Sequence, residues 1–210
     1  MPQRTRPDIA SLRKNAQILV IDDLDFPSQD FFARDNYHIE RWATVRNLTQ
    51  LTDGSFEVIL LDVQGVGLNE SPSLQGLGIL QAIKHANPAQ MVILYSAGAL
   101  KLSLLPYTQL ADRVLDKDST YIDYKREVDD LLQQHASPGH YIATINSVLG
   151  PEAALAPKVV PKALSAMRRG KNASLERYLR KNLADPKQVD RILTVISIGM
   201  SAVQIGMAVL

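Results

Sequence analysis

Four stretches of the sequence place polar side chains directly after apolar runs. QILVIDDLD carries the acidic pair Asp22 and Asp23, and VILLD ends in Asp62. MVILYS ends in Ser96, and RVLD is followed by Lys117. Crowded carboxylates repel one another unless a positive charge compensates them. Three carboxylates that converge form an oxygen-rich pocket suited to Mg²⁺, and a nearby lysine and hydroxyl complete a set of groups suited to phosphoryl transfer onto a carboxylate.

The apolar runs are typical of strands that are buried on both faces. Residues 18–22, 58–62 and 91–96 are short, continuous and rich in β-branched side chains. HIERWA and RVLD are predicted as two further strands. Because segments with helical spacing separate these runs, the sequence predicts an α/β fold with a doubly wound, five-stranded parallel sheet. Ligands bind such sheets at the carboxyl ends of the strands, where the polar residues lie.

The connecting segments show the spacing of apolar residues expected for helices. TVRNLTQLTDG is predicted as a helix that begins at a Thr44 cap and stops at Gly54. The other predicted helices of this part lie in FPSQDFFARD, LQGLGILQAIKHANP, ALKLSLLPYTQL and IDYKREVDDLLQQ.

The strand pattern stops at residue 138, and the rest of the chain is predicted to be helical. SPGHYIATINSVLG is interpreted as a short helix and PEAALAPKVVP as a linker rich in Pro and Ala. KALSAMRRG and SLERYLRKNLA are two basic helical segments, and a last helix begins after an Asp185 cap. The predicted organisation is an α/β domain over 16–136, a linker with a short helix over 137–161, and an all-α extension over 162–210.

These motifs together resemble the receiver domain of two-component response regulators, a flavodoxin-like fold. The matching stretches are VIDD, ILLDV, LYSAG and VLDKD, which occur in the family's order and on the expected strands. The resemblance covers about residues 16–134. It implies a signalling protein that at most catalyses its own phosphoryl transfer and dephosphorylation, and the region 162–210 would then be its output or oligomerisation region.

The resemblance also implies a role for each residue of the pocket. Asp62 would be the phosphoacceptor, taking its phosphoryl group from a histidine kinase or a histidine phosphotransfer protein. Asp23 and Asp62 would bind Mg²⁺ directly with the backbone carbonyl of Gln64, and Asp22 would act largely through water. Lys117 would pair with the acceptor carboxylate and later with a phosphoryl oxygen. Ser96 would hydrogen-bond the phosphoryl group and move the loop after the fourth strand.

The chain departs from the family pattern at three places. The loop VQGVGLNESPSLQG after Asp62 is longer than the family's usual turn and lacks its Met-Pro. Asp118 follows the lysine where the family usually has Pro, and Val114 occupies a position that is commonly aromatic and part of the switch. These departures leave a second hypothesis open, in which the chain is a non-phosphorylated pseudo-receiver that acts as an assembly scaffold.

The C-terminal region differs in charge from the rest of the chain. Residues 158–191 contain ten basic and three acidic residues, whereas the net charge of the whole chain is only +1. Two parts of opposite charge suggest different partners. The basic segment would suit nucleic-acid phosphates or anionic lipid, so a DNA-binding regulator and a membrane-associated regulator stay open as alternatives.

The last 19 residues carry no charge, a length and composition that fit a membrane-spanning helix. They also continue a heptad pattern, which favours a homodimer or a partner-binding helix. The apolar seam consists of Val189, Leu193, Ile196, Met200, Val203, Met207 and Leu210. The opposite, mostly polar face consists of Asp190, Thr194, Ser197, Ser201 and Gln204.

Composition sets further limits. The chain of 210 residues contains no cysteine, which excludes disulfides and thiolate metal sites and suits a reducing compartment. The N-terminal stretch MPQRTRPDIASLRKNAQ has no apolar run of the kind found in secretory signals. We therefore expect a cytoplasmic protein, with association to a membrane through the C-terminal helix left open.

Overall fold

The chain forms two compact units. The computed structural model describes residues 8–97 and 105–208, with side chains described over 8–97 and 106–202. One unit contains residues 9–86 and 90–132. The other is formed mainly by residues from 133 onward, together with 87–89.

The first unit is built around a five-stranded sheet in which all neighbouring strands are parallel. The strands are β1 (Gln17–Ile21), β2 (His38–Trp42), β3 (Val58–Asp62), β4 (Met91–Ser96) and β5 (Arg113–Asp116). Their order in the sheet is β2-β1-β3-β4-β5, which is the flavodoxin-like order of doubly wound sheets. The predicted fold class is therefore confirmed.

Helices cover both faces of this sheet. On one face, Ile59 and Leu61 belong to the same buried cluster as Leu80 of the helix at residues 76–86. On the other face, the ring of Tyr95 contacts the ring of Tyr124 in the helix at residues 121–135. Every residue of β3 and β4 is buried, which explains their continuous apolar sequences. The helices are α1 (Ile9–Asn15), α2 (Gln29–Arg34), α3 (Gly76–Ala86), α4 (Leu105–Thr108) and α5 (Tyr121–His135).

The helix predicted over 44–54 is wrong. The segment between β2 and β3 is a series of turns, with Leu51 buried in the core beneath them. The side chain of Asn47 accepts a hydrogen bond from the backbone N–H of Thr49, and that of Asp53 accepts one from Ser55. Short polar side chains that bond the local backbone compete with helix formation, and this competition outweighs the apolar spacing.

The helix predicted near ALKLSLLPYTQL is described only in part. Residues 105–108 form α4, whereas residues 98–104 lie outside the described part of the chain.

The second unit is a bundle of helices around its own apolar core. Its elements are α6 (Pro138–Leu149), a 3₁₀ segment (Gly150–Leu155), α7 (Ala156–Arg169), α8 (Ala173–Asn182) and α9 (Pro186–Ala208). Each helix contributes fully buried side chains, and the core includes Tyr141, Ile145, Val159, Leu179, Ile192 and Ile196.

The interpretation of PEAALAPKVVP as a linker is also wrong. The segment forms the 3₁₀ turn and the start of α7, although Pro161 lies inside that helix. Proline in a helix removes a hydrogen bond and is unfavourable by itself. Here Val159 and Ala163, on either side of the proline, are fully buried in the bundle core. Burial of Val159 and Ala163 offsets the unfavourable effect of the proline. Local helix propensity does not include this gain from tertiary packing.

The last helix begins as predicted. The Asp185 side chain accepts a hydrogen bond from the backbone N–H of Lys187 at 2.9 Å, and Pro186 is the first helical residue. Among the described helices, none combines the length and the apolar character needed to cross a membrane.

The described residues of the heptad seam of α9 pack against the core of the bundle. Val189 and Ile196 are buried in the core, and Leu193 and Met200 pack partly against it. The predicted polar face is exposed at Asp190, Ser197 and Ser201 and half-buried at Thr194. The side chains of the remaining seam and polar-face residues, Val203, Gln204, Met207 and Leu210, lie outside the described part.

Gly199 allows α9 to approach its neighbours closely. A Cβ atom at this position would lie 2.9 Å from Met167 Sδ and 2.9 Å from Tyr141 Cγ. Such contacts are too short for carbon and sulfur atoms, so any larger residue requires the bundle to shift. The glycine is therefore retained in a helix interior, where it is otherwise unfavourable, because of packing.

We predict that Gly199→Val lowers the free energy of unfolding of the bundle by about 2 kcal/mol, as expected for overpacking of a tight core. Urea titration followed by circular dichroism measures the loss. The matched control is Ser201→Val, which places the same side chain on the exposed face of α9 and should cost only about 0.5 kcal/mol. Equal losses for the two variants would contradict the assigned packing.

Candidate functional site

Three acidic side chains meet at the carboxyl ends of the two central strands. Asp22 and Asp23 follow β1, and Asp62 is the last residue of its neighbour β3. Carboxylate oxygens of all three lie within 4.8 Å of one another. In this strand order the connections change direction between β1 and β3, which is where doubly wound sheets form their ligand sites.

The three carboxylates differ in exposure. Asp22 is fully buried and Asp62 is 3% exposed, whereas Asp23 is open to solvent. Two of the charges are therefore removed from water, and only Asp23 retains its hydration. Two like charges buried side by side need a cation between them.

Lys117 supplies that cation. It follows β5, and its Nζ atom lies 2.6 Å from Asp62 Oδ2 and 3.1 Å from Asp22 Oδ2. Its backbone N–H donates to the carbonyl of Ser96 at 3.0 Å, which fixes the start of the side chain beside β4. The structure thus joins the lysine and two of the acids that the sequence analysis singled out.

The pKa shifts in the pocket follow from this arrangement. Burial raises the pKa of Asp62, and the hydrogen bond from Lys117 only partly offsets this effect. Burial by itself lowers the pKa of Lys117, but its hydrogen bonds to Asp62 and Asp22 outweigh burial and raise the pKa overall. The pocket therefore favours the protonated, positive form of Lys117 and disfavours the ionised, negative form of Asp62.

The geometry around Asp23 fits a small cation. Gly65 has a φ of +80°, and a Cβ atom there would lie 2.5 Å from Asp23 Oδ1. A larger residue at position 65 would collide with this carboxylate, so glycine allows Asp23 to lie close to the backbone here. Mg²⁺ is usually held by one or two carboxylates together with water, so the acidic side chains and the exposure of Asp23 fit the ion implied by the resemblance.

The roles predicted for Gln64 and Ser96 stay predictions. The backbone N–H of Gln64 donates to Asp62 Oδ1 at 3.3 Å, which places this residue beside the pocket. Ser96 is buried at the end of β4, and its carbonyl accepts the hydrogen bond from Lys117. The loop that Ser96 was expected to move falls largely on residues 98–104, outside the described part of the chain.

The departures from the family pattern have local structural consequences. In the long loop after Asp62, the Gln75 side chain accepts a hydrogen bond from the backbone N–H of Gly65 at 2.9 Å, which closes the loop beside the pocket. The side chain of Asp116 accepts a hydrogen bond from the N–H of Asp118 at 2.9 Å, so a turn forms where the family usually has proline. Val114, at the usual aromatic position, is 48% exposed.

Two further residues, which the sequence pattern does not single out, hold Asp22. The Tyr95 hydroxyl donates to Asp22 Oδ2 at 2.8 Å, and a guanidinium nitrogen of Arg41 donates to the carbonyls of Asp22 and Leu24, both at 2.9 Å. A tyrosine inside an apolar strand was a usable signal, because a buried phenol requires a hydrogen-bond partner. Burial and the nearby charge of Asp22 raise the pKa of Tyr95, so its hydroxyl keeps its proton.

No protein-family model and no curated protein matches the chain. The N-terminal part of the chain is similar to solved receiver domains. A CheY-like response regulator receiver domain protein from Methanospirillum hungatei is 21% identical, covers 58% of this chain and 98% of its own, and has a TM-score of 0.47. A response regulator receiver domain protein from Clostridium thermocellum is 24% identical, with 57% and 95% covered and a TM-score of 0.45.

NtrX from Brucella abortus is similar over a smaller share of its length. It is 20% identical, with 56% of this chain and 27% of NtrX covered and a TM-score of 0.47. Because the TM-scores are below 0.5, the assignment of the fold rests on the strand order and connections of this chain itself.

We predict that Asp62→Asn stabilises the metal-free protein, and more so at pH 8 than at pH 4. Burial raises the pKa of Asp62 in the folded protein. In the pH window just above the ordinary pKa of an aspartic acid, the folded protein therefore binds more protons than the unfolded chain. Wild type therefore loses stability as the pH rises through that window, whereas the asparagine variant does not titrate. Melting temperatures of both proteins in EDTA measure the difference.

The control for this prediction is Asp25→Asn, which removes an almost fully exposed carboxylate close to the pocket. Its effect on the melting temperature should be small at both pH values. An Asp62→Asn variant that becomes less stable than wild type as the pH rises would show that ionised Asp62 contributes favourably to folding.

Proposed function

We propose that this chain is a response regulator in which Asp62 accepts a phosphoryl group in a Mg²⁺-dependent reaction. The observation that carries the proposal is the placement of Lys117 between Asp62 and Asp22, beside the exposed Asp23. This arrangement combines a carboxylate nucleophile, a compensating cation and an exposed carboxylate that a metal ion could reach.

Each residue then has a defined part in the transfer. A carboxylate oxygen of Asp62 forms a bond to phosphorus while the bond between phosphorus and the donor breaks, and the donor leaves with the bonding electron pair. The donor would be a phosphohistidine of a histidine kinase or a histidine phosphotransfer protein. Asp23 and Asp62 would hold a divalent cation directly and Asp22 would hold it through water, and the cation would supply positive charge to the phosphoryl oxygens. Lys117, already 2.6 Å from Asp62, would move its bond to a phosphoryl oxygen.

Transfer would then act as a signal because of the charge it introduces. A phosphoryl group carries about 1.5 to 2 negative charges at neutral pH, and on Asp62 it replaces the single charge of the carboxylate that it modifies. The larger charge extends beyond the position of the original carboxylate, so Lys117 has to be shared differently between Asp22 and the modified Asp62. We propose that this change alters how the C-terminal region 162–210 pairs with a second copy or engages a partner.

The packing of α9 limits how such pairing could occur. Val189 and Ile196 are buried inside the bundle, so these two seam residues are not available to a twin helix unless the bundle opens. Dimerisation through α9 would thus require either opening of the bundle or the use of the end of the helix beyond residue 202. We further propose a cytoplasmic location, which the absence of cysteine suits.

Binding of duplex nucleic acid is a second candidate function, and the surface of α7 and α8 favours it. Arg168, Arg169, Lys171, Arg177 and Lys181 are exposed. Within the described part of the chain, none of the five forms an ion pair. The two helices are joined by a short turn at Gly170, and the five cations lie within 14 residues. Exposed cations on a helix–turn–helix outline are suited to contact the phosphates of a duplex.

We predict that wild type gains about one phosphoryl mass on incubation with acetyl phosphate and Mg²⁺, whereas Asp62→Ala does not. Acetyl phosphate replaces the kinase as donor, and intact-mass spectrometry measures the gain. Asp23→Asn should lower the rate by at least about tenfold, because metal ligands and their supports typically contribute on that scale. Asp25→Asn is the matched control and should label like wild type. A folded wild-type protein that gains no mass would favour the scaffold hypothesis.

For the second candidate, we predict that the affinity for duplex DNA falls steeply with salt. Neutralisation of about five phosphates gives a slope of about −4.5 for log K against log[salt]. The double variant Arg177→Gln/Lys181→Gln should reduce the magnitude of this slope by about 2. The control Lys14→Gln/Arg34→Gln removes two exposed cations of the first unit and should leave the slope unchanged. Binding that is absent or insensitive to salt, measured by fluorescence anisotropy, would exclude this function.

A further inference from the structure

Tyr95 occupies an unusual position in the wall of the acidic pocket. It lies in β4 directly opposite Asp62 of β3 in the strand register, and it is 1% exposed. Its hydroxyl reaches past Asp62 to the neighbouring acid and donates to Asp22 Oδ2 at 2.8 Å. The only side-chain oxygen of this buried ring is therefore directed at the pocket.

Asp22 is saturated by donors from the protein. Oδ1 accepts from the backbone N–H of Leu24 at 2.9 Å and from Lys117 at 3.2 Å. Oδ2 accepts from Tyr95 and lies 3.1 Å from the same lysine. A carboxylate accepts about four hydrogen bonds, so Asp22 has little capacity left for a direct bond to a cation. Asp23 and Asp62 are the acids that remain available as direct ligands.

Lys117 is shared unequally between the two buried acids. Its Nζ lies 2.6 Å from Asp62, which is clearly shorter than its distances of 3.1 and 3.2 Å to Asp22. Nζ also lies 5.6 Å from the centre of the Tyr95 ring, within the range of a cation–π contact. Tyr95 therefore contacts both partners of the Asp22–Lys117 pair.

We propose that Tyr95 is a positioning residue for the metal and phosphoryl site: by satisfying Asp22, its hydroxyl keeps Lys117 on Asp62. Without the hydroxyl, Lys117 would be the only donor that the described residues offer to Asp22 Oδ2, and this oxygen would draw the ammonium group towards itself. Asp62 would then lose part of its compensation and its fixed orientation beside Asp23. The inference rests on the proposed function, since it assigns a role at the same metal site.

The surrounding rings hold the hydroxyl in place. The Tyr95 ring lies 5.9 Å from the ring of Phe26 and 6.0 Å from that of Tyr124, which it meets edge to face. Both neighbours are buried. Tyr95→Phe would preserve these ring contacts and remove a single oxygen atom, so its effect should report on the hydrogen bond and not on the packing.

The test is the dissociation constant of Mg²⁺ for the full chain, measured by isothermal titration calorimetry. We expect Tyr95→Phe to weaken Mg²⁺ binding about tenfold, the scale at which residues that orient metal ligands usually act. The fluorescence of Trp42 provides a second readout of Mg²⁺ binding. Trp42 is the only tryptophan in the sequence, and its backbone carbonyl accepts a hydrogen bond from the backbone N–H of Asp22 at 3.1 Å.

Two further variants decide the interpretation. Tyr124→Phe removes a hydroxyl from the same ring cluster and should leave the Mg²⁺ affinity unchanged. Among the described residues, this hydroxyl bonds the carbonyl of Asp116 at 3.2 Å and none of the acids of the pocket. In an Asp22→Asn background, Tyr95→Phe should have no further effect, because its route to the metal site is gone. Three results would each overturn the inference. The first is a Mg²⁺ affinity that does not change in Tyr95→Phe, and the second is an equal loss of affinity in Tyr95→Phe and Tyr124→Phe. The third is a tenfold loss of affinity when Tyr95→Phe is added to Asp22→Asn.

Failure of this inference is distinguishable from failure of the proposed function. Mg²⁺ binding is measured without a phosphoryl donor. A wild-type chain that binds Mg²⁺ with the expected variant pattern but is never labelled by acetyl phosphate would refute phosphorylation and support the positioning role. A wild-type chain that binds no Mg²⁺ would overturn the inference itself.

Discussion

The pocket depends on the ionic contact of Lys117 with two buried carboxylates. Asp22 and Asp62 lie at the ends of adjacent strands with almost no exposure, so without a cation their charges would repel in a medium that screens poorly. The lysine reaches them from β5, two strands away from β3 in the sheet. Its backbone is fixed by a hydrogen bond to Ser96, which makes the pairing of β4 with β5 a condition for the pocket. The fold and the site are therefore coupled through one side chain.

Much of this arrangement is readable from the sequence because two simple rules apply together. Strands buried on both faces show continuous apolar sequences, and β3, β4 and β5 begin and end at the predicted residues. The carboxyl ends of parallel strands meet at one edge, so the polar residue after each run is brought into the pocket. Asp22, Asp23, Asp62 and Lys117 could be predicted in this way. Their mutual distances could not, since these depend on the register and twist of the sheet.

Other features escaped prediction because tertiary contacts or local side-chain bonds override the pattern. The turns over 44–54 form where Asn47 and Asp53 bond the nearby backbone, although the apolar spacing indicates a helix. The start of α7 forms despite Pro161, because its apolar stripe is buried by the bundle. Tyr95 and Arg41 are ordinary strand residues in the sequence, and only the register of the sheet from β2 through β1 and β3 to β4 reveals that both reach Asp22.

The same contacts bear on how a signal could leave the pocket. In the family that the motifs resemble, an aromatic residue three positions before the lysine takes part in switching, and here that position is the exposed Val114. The rings lie elsewhere, since Tyr95 connects Asp22 and Lys117 to Phe26 and Tyr124. If a phosphoryl group on Asp62 attracts Lys117, Asp22 loses the lysine as a donor, and the hydrogen bond from the Tyr95 hydroxyl becomes more important for holding Asp22. The rings of Phe26 and Tyr124, which contact Tyr95, would then be the first to shift. A conformational response should therefore begin on the face of the sheet that α2 and α5 cover.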